Sequence, residues 1–308
     1  MKPLIIAIVG PTAVGKTELG LELADFFNGE IISGDSMQVY RGMDIGTAKA
    51  SNAEQNRVPH HLIDIRTPET PFSVADFKQE ATVAINAIHQ KNKLPIIVGG
   101  TGLYVNSVLY DYQFKDVPED PEFRASLETF AKAKGNHALH EQLQNISPEK
   151  AQAIHPNNIR RVIRQLEIHH VTGKVGESGM ENDAVESPYR PIVFGLTMDR
   201  EQLYERINQR VDDMLQKGLV DEVQYLLDQG YENTSAMNAI GYKELIPYIK
   251  GDTSLASATE QLKLNSRRFA KRQFTWFRNK MDLTWFDLSE NREQKIHNMI
   301  KIIQEYQH

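Results

Sequence analysis

GPTAVGKT, residues Gly10 to Thr17, decides the fold. It is a complete G-x-x-x-x-G-K-T phosphate loop with the right flanks: the apolar run LIIAIV (Leu4 to Val9) reads as a strand before it, and TELGLELADFF, from Thr17, reads as a helix after it. In that context Gly10, Pro11, Thr12, Ala13, Val14, Gly15, Lys16 and Thr17 form a cradle for a polyphosphate, with backbone N–H groups and a helix N-terminus turned to anionic oxygens. Lys16 adds a point charge, and the Thr17 hydroxyl is placed to ligate Mg²⁺. A chance glycine-rich turn is the plain alternative, and the filled motif with both flanks argues against it. The loop does not say whether the phosphate belongs to ATP, GTP or another ligand.

Outward from the loop, short apolar runs alternate with helical stretches: LIIAIV, EIISGD (Glu30 to Asp35), LIDI (Leu62 to Ile65) and LPIIVGG (Leu94 to Gly100). That alternation predicts a parallel sheet with right-handed crossovers in a three-layer α/β domain. After GGTGLYVNSVLY the pattern becomes helical from VPEDPEF to about Thr172, Gly173 to Ser187 reads as a loop, and RPIVFGLTM (Arg190 to Met198) returns to the sheet. Helices are expected in the rest. The expected fold is α/β, with a P-loop NTPase-like parallel sheet core in residues 1–115 and 188–308, a helical insertion domain in residues 116–187, and a helical C-terminal region.

A chain of 308 residues with 40% hydrophobic content can bury a substantial core. Zero cysteines exclude disulfides, Cys-ligated zinc and a thiol nucleophile. No apolar run approaches a membrane span and nothing resembles a signal peptide, so a cytoplasmic location without membrane contact is expected, with a monomer as the default. The net charge of −6 argues against indiscriminate nucleic-acid binding. Its distribution matters more. Gln261 to Met281 carries Lys263, Arg267, Arg268, Lys271, Arg272, Arg278 and Lys280 with no acidic residue, interleaved with Phe269, Phe274, Trp276 and Phe277. That pattern suits a helix with one stripe inward and another, including Arg267, Arg268, Lys271 and Arg272, facing phosphates; a merely solvated face is the alternative. Arg160, Arg161 and Arg164 form a second basic cluster on one broad helix face. His60 and His61 lack a third metal ligand at suitable spacing and read as structural, while Trp276 and Trp285 suit either base stacking or core packing.

Most P-loop NTPases end a later strand with an aspartate that helps hold Mg²⁺. Here LPIIVGGTG ends in glycines and Thr101, which counts against ordinary ATP hydrolysis and suggests room for a ligand to approach the backbone. Asp35, at the end of EIISGD, is the natural remaining acid, as general base or as a metal holder through water; a turn or N-cap role is the alternative.

Eight collinear blocks then carry a resemblance: GPTAVGKT (from Gly10), DSMQVYRGMDIGTAK (from Asp35), PHHLIDI (from Pro59), FSVADF (from Phe72), GGTGLY (from Gly99), HPNNIRRVIRQLE (from His155), AIGYKE (from Ala239) and RRFAKRQFTWFR (from Arg267). Together they resemble the tRNA dimethylallyltransferase family over nearly the whole chain. The resemblance implies transfer of a dimethylallyl group from dimethylallyl diphosphate to N6 of the adenosine at tRNA position 37, in tRNAs reading codons that start with U. It also implies a diphosphate in the loop, Mg²⁺ as cofactor on Thr17, and tRNA as partner. Asp35 is then the expected base, with Lys16, Thr17, Thr101 and Arg210 completing the catalytic set. The family resemblance places tRNA contacts on Asp35, Ser36, Met37, Gln38 and Thr101, on Arg124, and on Ile159, Arg160, Arg161, Val162 and Ile163. Gln38 and Thr101 carry groups suited to reading an adenine edge. Spacing alone would leave Arg210 as a helix-surface arginine beside Asp213. The chain lacks the zinc-finger extension of eukaryotic relatives, so a bacterial type is expected. The rivals are an adenylate isopentenyltransferase, a small-molecule kinase, or a non-catalytic RNA-binding P-loop module.

Overall fold

A computed structural model describes residues 2–112, 117–173 and 186–307. Six parallel strands form one sheet in the order β3-β2-β4-β1-β5-β6. They are β1 (Leu4–Val9), β2 (Gly29–Ser33), β3 (His60–His61), β4 (Leu94–Gly99), β5 (Arg190–Thr197) and β6 (Thr284–Asp287). The helices up to the end of β4's crossover are α1 (Lys16–Phe27), α2 (Asn52–Arg57), α3 (Val74–Gln90) and α4 (Gly102–Leu109). Four more, α5 (Pro121–Lys134), α6 (Asn136–Ile146), α7 (Pro148–Ala153) and α8 (Ile159–Thr172), make a unit of their own. After β5 come α9 (Arg200–Gln216), α10 (Leu219–Asp228), α11 (Ile246–Ile249), α12 (Leu255–Lys280) and α13 (Arg292–Gln307).

The chain divides into two compact units, Met1–Asp111 with Glu186–His308, and Tyr112–Val185. In the first, β1 is buried on both faces, so its continuous apolar run serves two cores by alternation. Ile6 and Ile8 point to a cluster with Leu19, Leu23, Ile207 and Ile303, while Ile5, Ala7 and Val9 point to one with Phe77, Ile85, Val105 and Phe277. Burying such side chains contributes about 1.5–3 kcal/mol each before the entropy of ordering them. In the second unit Leu127, Leu139, Leu143, Val162 and Leu166 form the core.

Two sequence expectations need correction. LIDI is not a strand: Leu62 and Asp64 have φ of 62° and 56°, left-handed values that break an extended run. The strand is instead the preceding His60–His61 pair, and the LIDI segment ties to the loop before it through Asp64 N–H to Gln38 O and Arg66 N–H to Val39 O. The C-terminal region is also not wholly helical. Its TWFD segment adds β6 in parallel to β5, with Trp285 beside Gly195, whose missing side chain makes room for the indole.

Candidate active site

The phosphate loop joins β1 to α1, where the apolar strand ends and Lys16 opens the helix. Gly10, Ala13 and Gly15 all take positive φ (148°, 64° and 99°), which turns the loop amides inward. Gly10 is required: a Cβ there would lie 2.6 Å from Leu196 O on β5. Lys16 Nζ reaches back to Pro11 O at 2.6 Å. Burial, reinforced by the nearby Arg210 charge and opposed by Asp35, pushes the Lys16 ammonium down to about 7. Arg210, on α9, is likewise lowered by burial and raised by Asp35. Among the described residues no carboxylate lies within ion-pair distance of either cation. Two partly buried cations without a carboxylate at ion-pair distance, beside a phosphate loop, form a site suited to an anion.

Asp35 stands opposite them, two residues past β2. Its Oδ1 accepts the Met37 N–H at 2.8 Å, closing a tight turn, and the Ser36 N–H donates to Thr101 Oγ1 at 3.2 Å. Two adjoining pockets share Thr12, Asp35, Thr47, Arg210 and Phe269 as lining. The smaller, about 90 Å³, contains Lys16, Thr17 and Asp35; the larger, about 310 Å³, runs past Met37 and Thr101 to Ala239 and Gly241. The larger one is of the size that holds a flat heterocycle.

The walls are pinned. Glu222 on α10 accepts N–H donors from Asp44 (3.0 Å), Ile45 (2.7 Å) and Gly46 (3.0 Å) and the Tyr242 hydroxyl (2.6 Å). Lys49 Nζ donates to Tyr40 O at 2.8 Å and to Asp64 Oδ1 at 2.6 Å. The loop after Asp35 is thereby rigid, as a binding wall must be.

The IPP transferase family model matches residues 38–280. This chain belongs to that family. It is 52% identical over 305 residues to a tRNA dimethylallyltransferase of Halalkalibacterium halodurans, covering 97% of both chains. A second tRNA dimethylallyltransferase, from Bacillus licheniformis, is 55% identical over 296 residues, 96% of this chain and 94% of that one. The crystal structure of the full-length tRNA isopentenylpyrophosphate transferase from Bacillus halodurans is similar at a TM-score of 0.75 and 51% identity, over 99% of this chain and 96% of that chain. A eukaryotic dimethylallyltransferase acting on tRNA aligns at a TM-score of 0.81 and 28% identity, over 98% of this chain and 80% of that one.

On this IPP transferase framework, the residues read from sequence fall into three groups. Lys16, Thr17, Asp35, Ser36, Met37, Thr101 and Arg210 line the two pockets together. Gln38 lines the smaller one, but its amide is already engaged: Oε1 accepts from the Ser33 hydroxyl at 2.7 Å and Nε2 donates to Thr47 O and Ala48 O at 3.2 and 3.3 Å. Gln38 thereby ties the loop to Ser33, Thr47 and Ala48. Thr101 keeps its O–H, while its oxygen fixes Ser36.

The remaining residues are not among the lining of the two pockets, with one exception. Arg124 pairs with Glu119 (3.1 Å) and with Glu167 (2.7 Å), a fully buried carboxylate that also binds Arg164 at 2.5 Å. Arg164 is thus not part of a free basic face, and Val162 and Ile163 are core residues; Arg160 and Arg161 are exposed and Ile159 is half-buried. On α12, Lys263 pairs with Asp212 at 2.7 Å and Arg267 donates to Asn208 at 2.6 Å, leaving Arg268, Lys271, Arg272, Arg278 and Lys280 exposed. Arg272 is the exception, since it also lines the larger pocket. Trp276 packs against Gly102, so neither tryptophan is a free stacking platform. His61 bonds Glu30 at 2.7 Å and His60 Nδ1 bonds Val58 O at 2.7 Å, the structural roles expected of them.

The glycines at the end of β4 are crowded where a side chain would stand, while the backbone of Gly99 and Gly100 lines the smaller pocket. A Cβ at Gly99 would lie 2.2 Å from Gly34 O, at Gly100 2.2 Å from Gln273 Nε2, and at Gly102 2.1 Å from the Trp276 ring. Gln273 and Phe269 escaped the sequence reading because their block drew attention by charge. Gln273 was visible in principle as one of two polar residues, with Ser266, on the buried stripe Leu262, Ser266, Ala270, Gln273, Phe277.

Proposed function

We propose that this chain transfers a dimethylallyl group from dimethylallyl diphosphate to the N6 amine of adenosine at position 37 of tRNAs reading codons that start with U. The carrying observation is the pair of partly buried cations, Lys16 and Arg210, lining one pocket with Asp35. The loop amides, Lys16 and Arg210 bind the diphosphate and hold the negative charge that gathers on it as the allylic C–O bond breaks. The N6 lone pair forms the new C–N bond, pyrophosphate departs with the C–O electron pair, and Asp35 takes the proton that N6 must lose. Asp35 is preorganised for this by its bond to Met37 N–H, which leaves the second carboxylate oxygen for the substrate.

Mg²⁺ fits the donor chemistry here. The Thr17 hydroxyl offers a hard oxygen beside the loop, which suits an ion that keeps its waters and shares the substrate's phosphates. When bound it would be held at Thr17 and would supply further neutralisation of the diphosphate.

The adenosine, unstacked from its loop, enters the larger pocket beside Thr101, Met37 and Ala239. Arg268 and Lys271 on α12, with Arg160 and Arg161 on α8, take tRNA phosphates, and the protein works as a monomer in the cytoplasm. No described helix is long and apolar enough to cross a membrane. Radiolabel transfer from dimethylallyl diphosphate to unmodified tRNA, with AMP and ATP as competing acceptors, tests the reading. Label on tRNA that vanishes when adenosine 37 becomes guanosine is expected. Label on the free nucleotide would make it an adenylate isopentenyltransferase, and ATP consumption without transfer a kinase.

A further inference from the structure

Helix α9 carries Arg206 and Arg210 four residues apart, on one face. Arg210 lines the buried pockets; Arg206 is exposed, one turn nearer the start of the helix. Both line a third cavity, an open cleft of about 340 Å³ whose opposite wall is Lys16 and Thr17 of the phosphate loop. Glu18 and Glu54 also border it, yet neither neutralises Arg206. Glu18 faces Arg292 at 3.4 Å, and Glu54 Oε2 accepts from the Ser51 N–H and hydroxyl at 2.7 Å each. Among the described residues no carboxylate lies within ion-pair distance of Arg206.

We propose that Arg206 is a diphosphate-binding residue: it takes the outer phosphate of the prenyl diphosphate and clamps the pyrophosphate product. The proposal rests on the diphosphate reading of the loop given above. Lys16 and Arg210, offset by Asp35, leave one net positive charge in the buried part of the site. When the allylic C–O bond breaks, both electrons stay on the bridging oxygen, so pyrophosphate carries one more negative charge than the ester it came from. A third cation on the outer side of the loop answers that added charge, and a guanidinium can bind two phosphate oxygens at once.

Calorimetric titration of the full chain with inorganic pyrophosphate in Mg²⁺ buffer, beside steady-state kinetics, tests this. Arg206→Ala is expected to weaken pyrophosphate about tenfold and to raise KM for dimethylallyl diphosphate severalfold, with KM for tRNA unchanged and Arg206→Lys intermediate. Lys301→Ala, an exposed change on α13, should match wild type throughout. Unchanged pyrophosphate affinity in Arg206→Ala overturns the proposal. A selective loss of tRNA affinity also overturns it, by placing Arg206 on the RNA surface. A wild-type protein that binds no pyrophosphate overturns both this proposal and the diphosphate reading beneath it.

Discussion

Gln273 holds Thr12 in place: its Oε1 accepts the Thr12 N–H at 2.9 Å while its Nε2 donates to Gly100 O at 3.0 Å. One buried amide on α12 thus couples the phosphate loop to the end of β4. Gln273→Leu would keep the volume and leave two main-chain groups unpaired, at about 1–3 kcal/mol. A lower melting temperature with a raised KM for dimethylallyl diphosphate is expected. Gln273→Glu should be no better, because it sets a carboxylate oxygen against Gly100 O. Normal KM in both variants would mean the loop holds its shape unaided.

Asp35→Asn retains an acceptor for Met37 N–H and removes the base. Single-turnover transfer should slow by roughly 100-fold or more while tRNA affinity stays within about twofold. Parallel losses in rate and affinity would reduce Asp35 to a binding residue.

Lys16 links the site to pH. Its ammonium, pushed down from 10.5 to about 7, is protonated in the unfolded chain across a range where the folded, empty protein sheds the proton. Stability of the empty protein therefore falls as pH drops from 10.5 toward 7, and the penalty is complete below 7. Diphosphate favours the charged form, so binding near pH 8 should take up a proton, seen as a dependence of calorimetric heat on buffer ionisation enthalpy. Lys16→Met should lose that uptake and the ligand, yet melt higher than wild type at pH 6 without ligand. A lower melting point for Lys16→Met would contradict a lysine that is costly to bury.

Arg268 and Lys271 project from α12 without ion pairs among the described residues. Replacing both with alanine should weaken tRNA binding and flatten its salt dependence by about one unit in log–log slope per lost phosphate contact. The KM for dimethylallyl diphosphate should not move. Salt dependence identical to wild type would assign the tRNA to another face.

The legible parts of this protein were those coded locally. The phosphate loop announces itself because its chemistry lies in one run of residues, and β1, β2, β4 and β5 do so because each carries consecutive apolar residues that a strand buried on both faces requires. Asp35 was reachable because strand ends at the loop's edge bind ligands. Arg210 was not reachable from spacing: only the family resemblance separated it from a surface arginine, since nothing local says that α9 turns that residue inward. Asp213, its expected partner, instead accepts from Gln209 at 2.8 Å. The partners of Gln38 and Arg124, namely Ser33, Thr47 and Glu167, were not legible in the sequence because tertiary folding sets them. The short β6 gave no periodic signal of its own and exists by pairing with β5.

The crowding around Gly99, Gly100 and Gly102 sets a limit on where this scaffold can go. Nucleotide-hydrolysing cousins of the phosphate loop keep a metal-binding aspartate at the corresponding strand end. Here that socket has been bricked up from three sides by Gly34, Gln273 and Trp276. A carboxylate at Gly99 would collide with the Gly34 main chain, and one at Gly100 or Gly102 with the Gln273 amide or the Trp276 ring, so a designer wanting that chemistry would have to remodel a strand, a turn and a helix together.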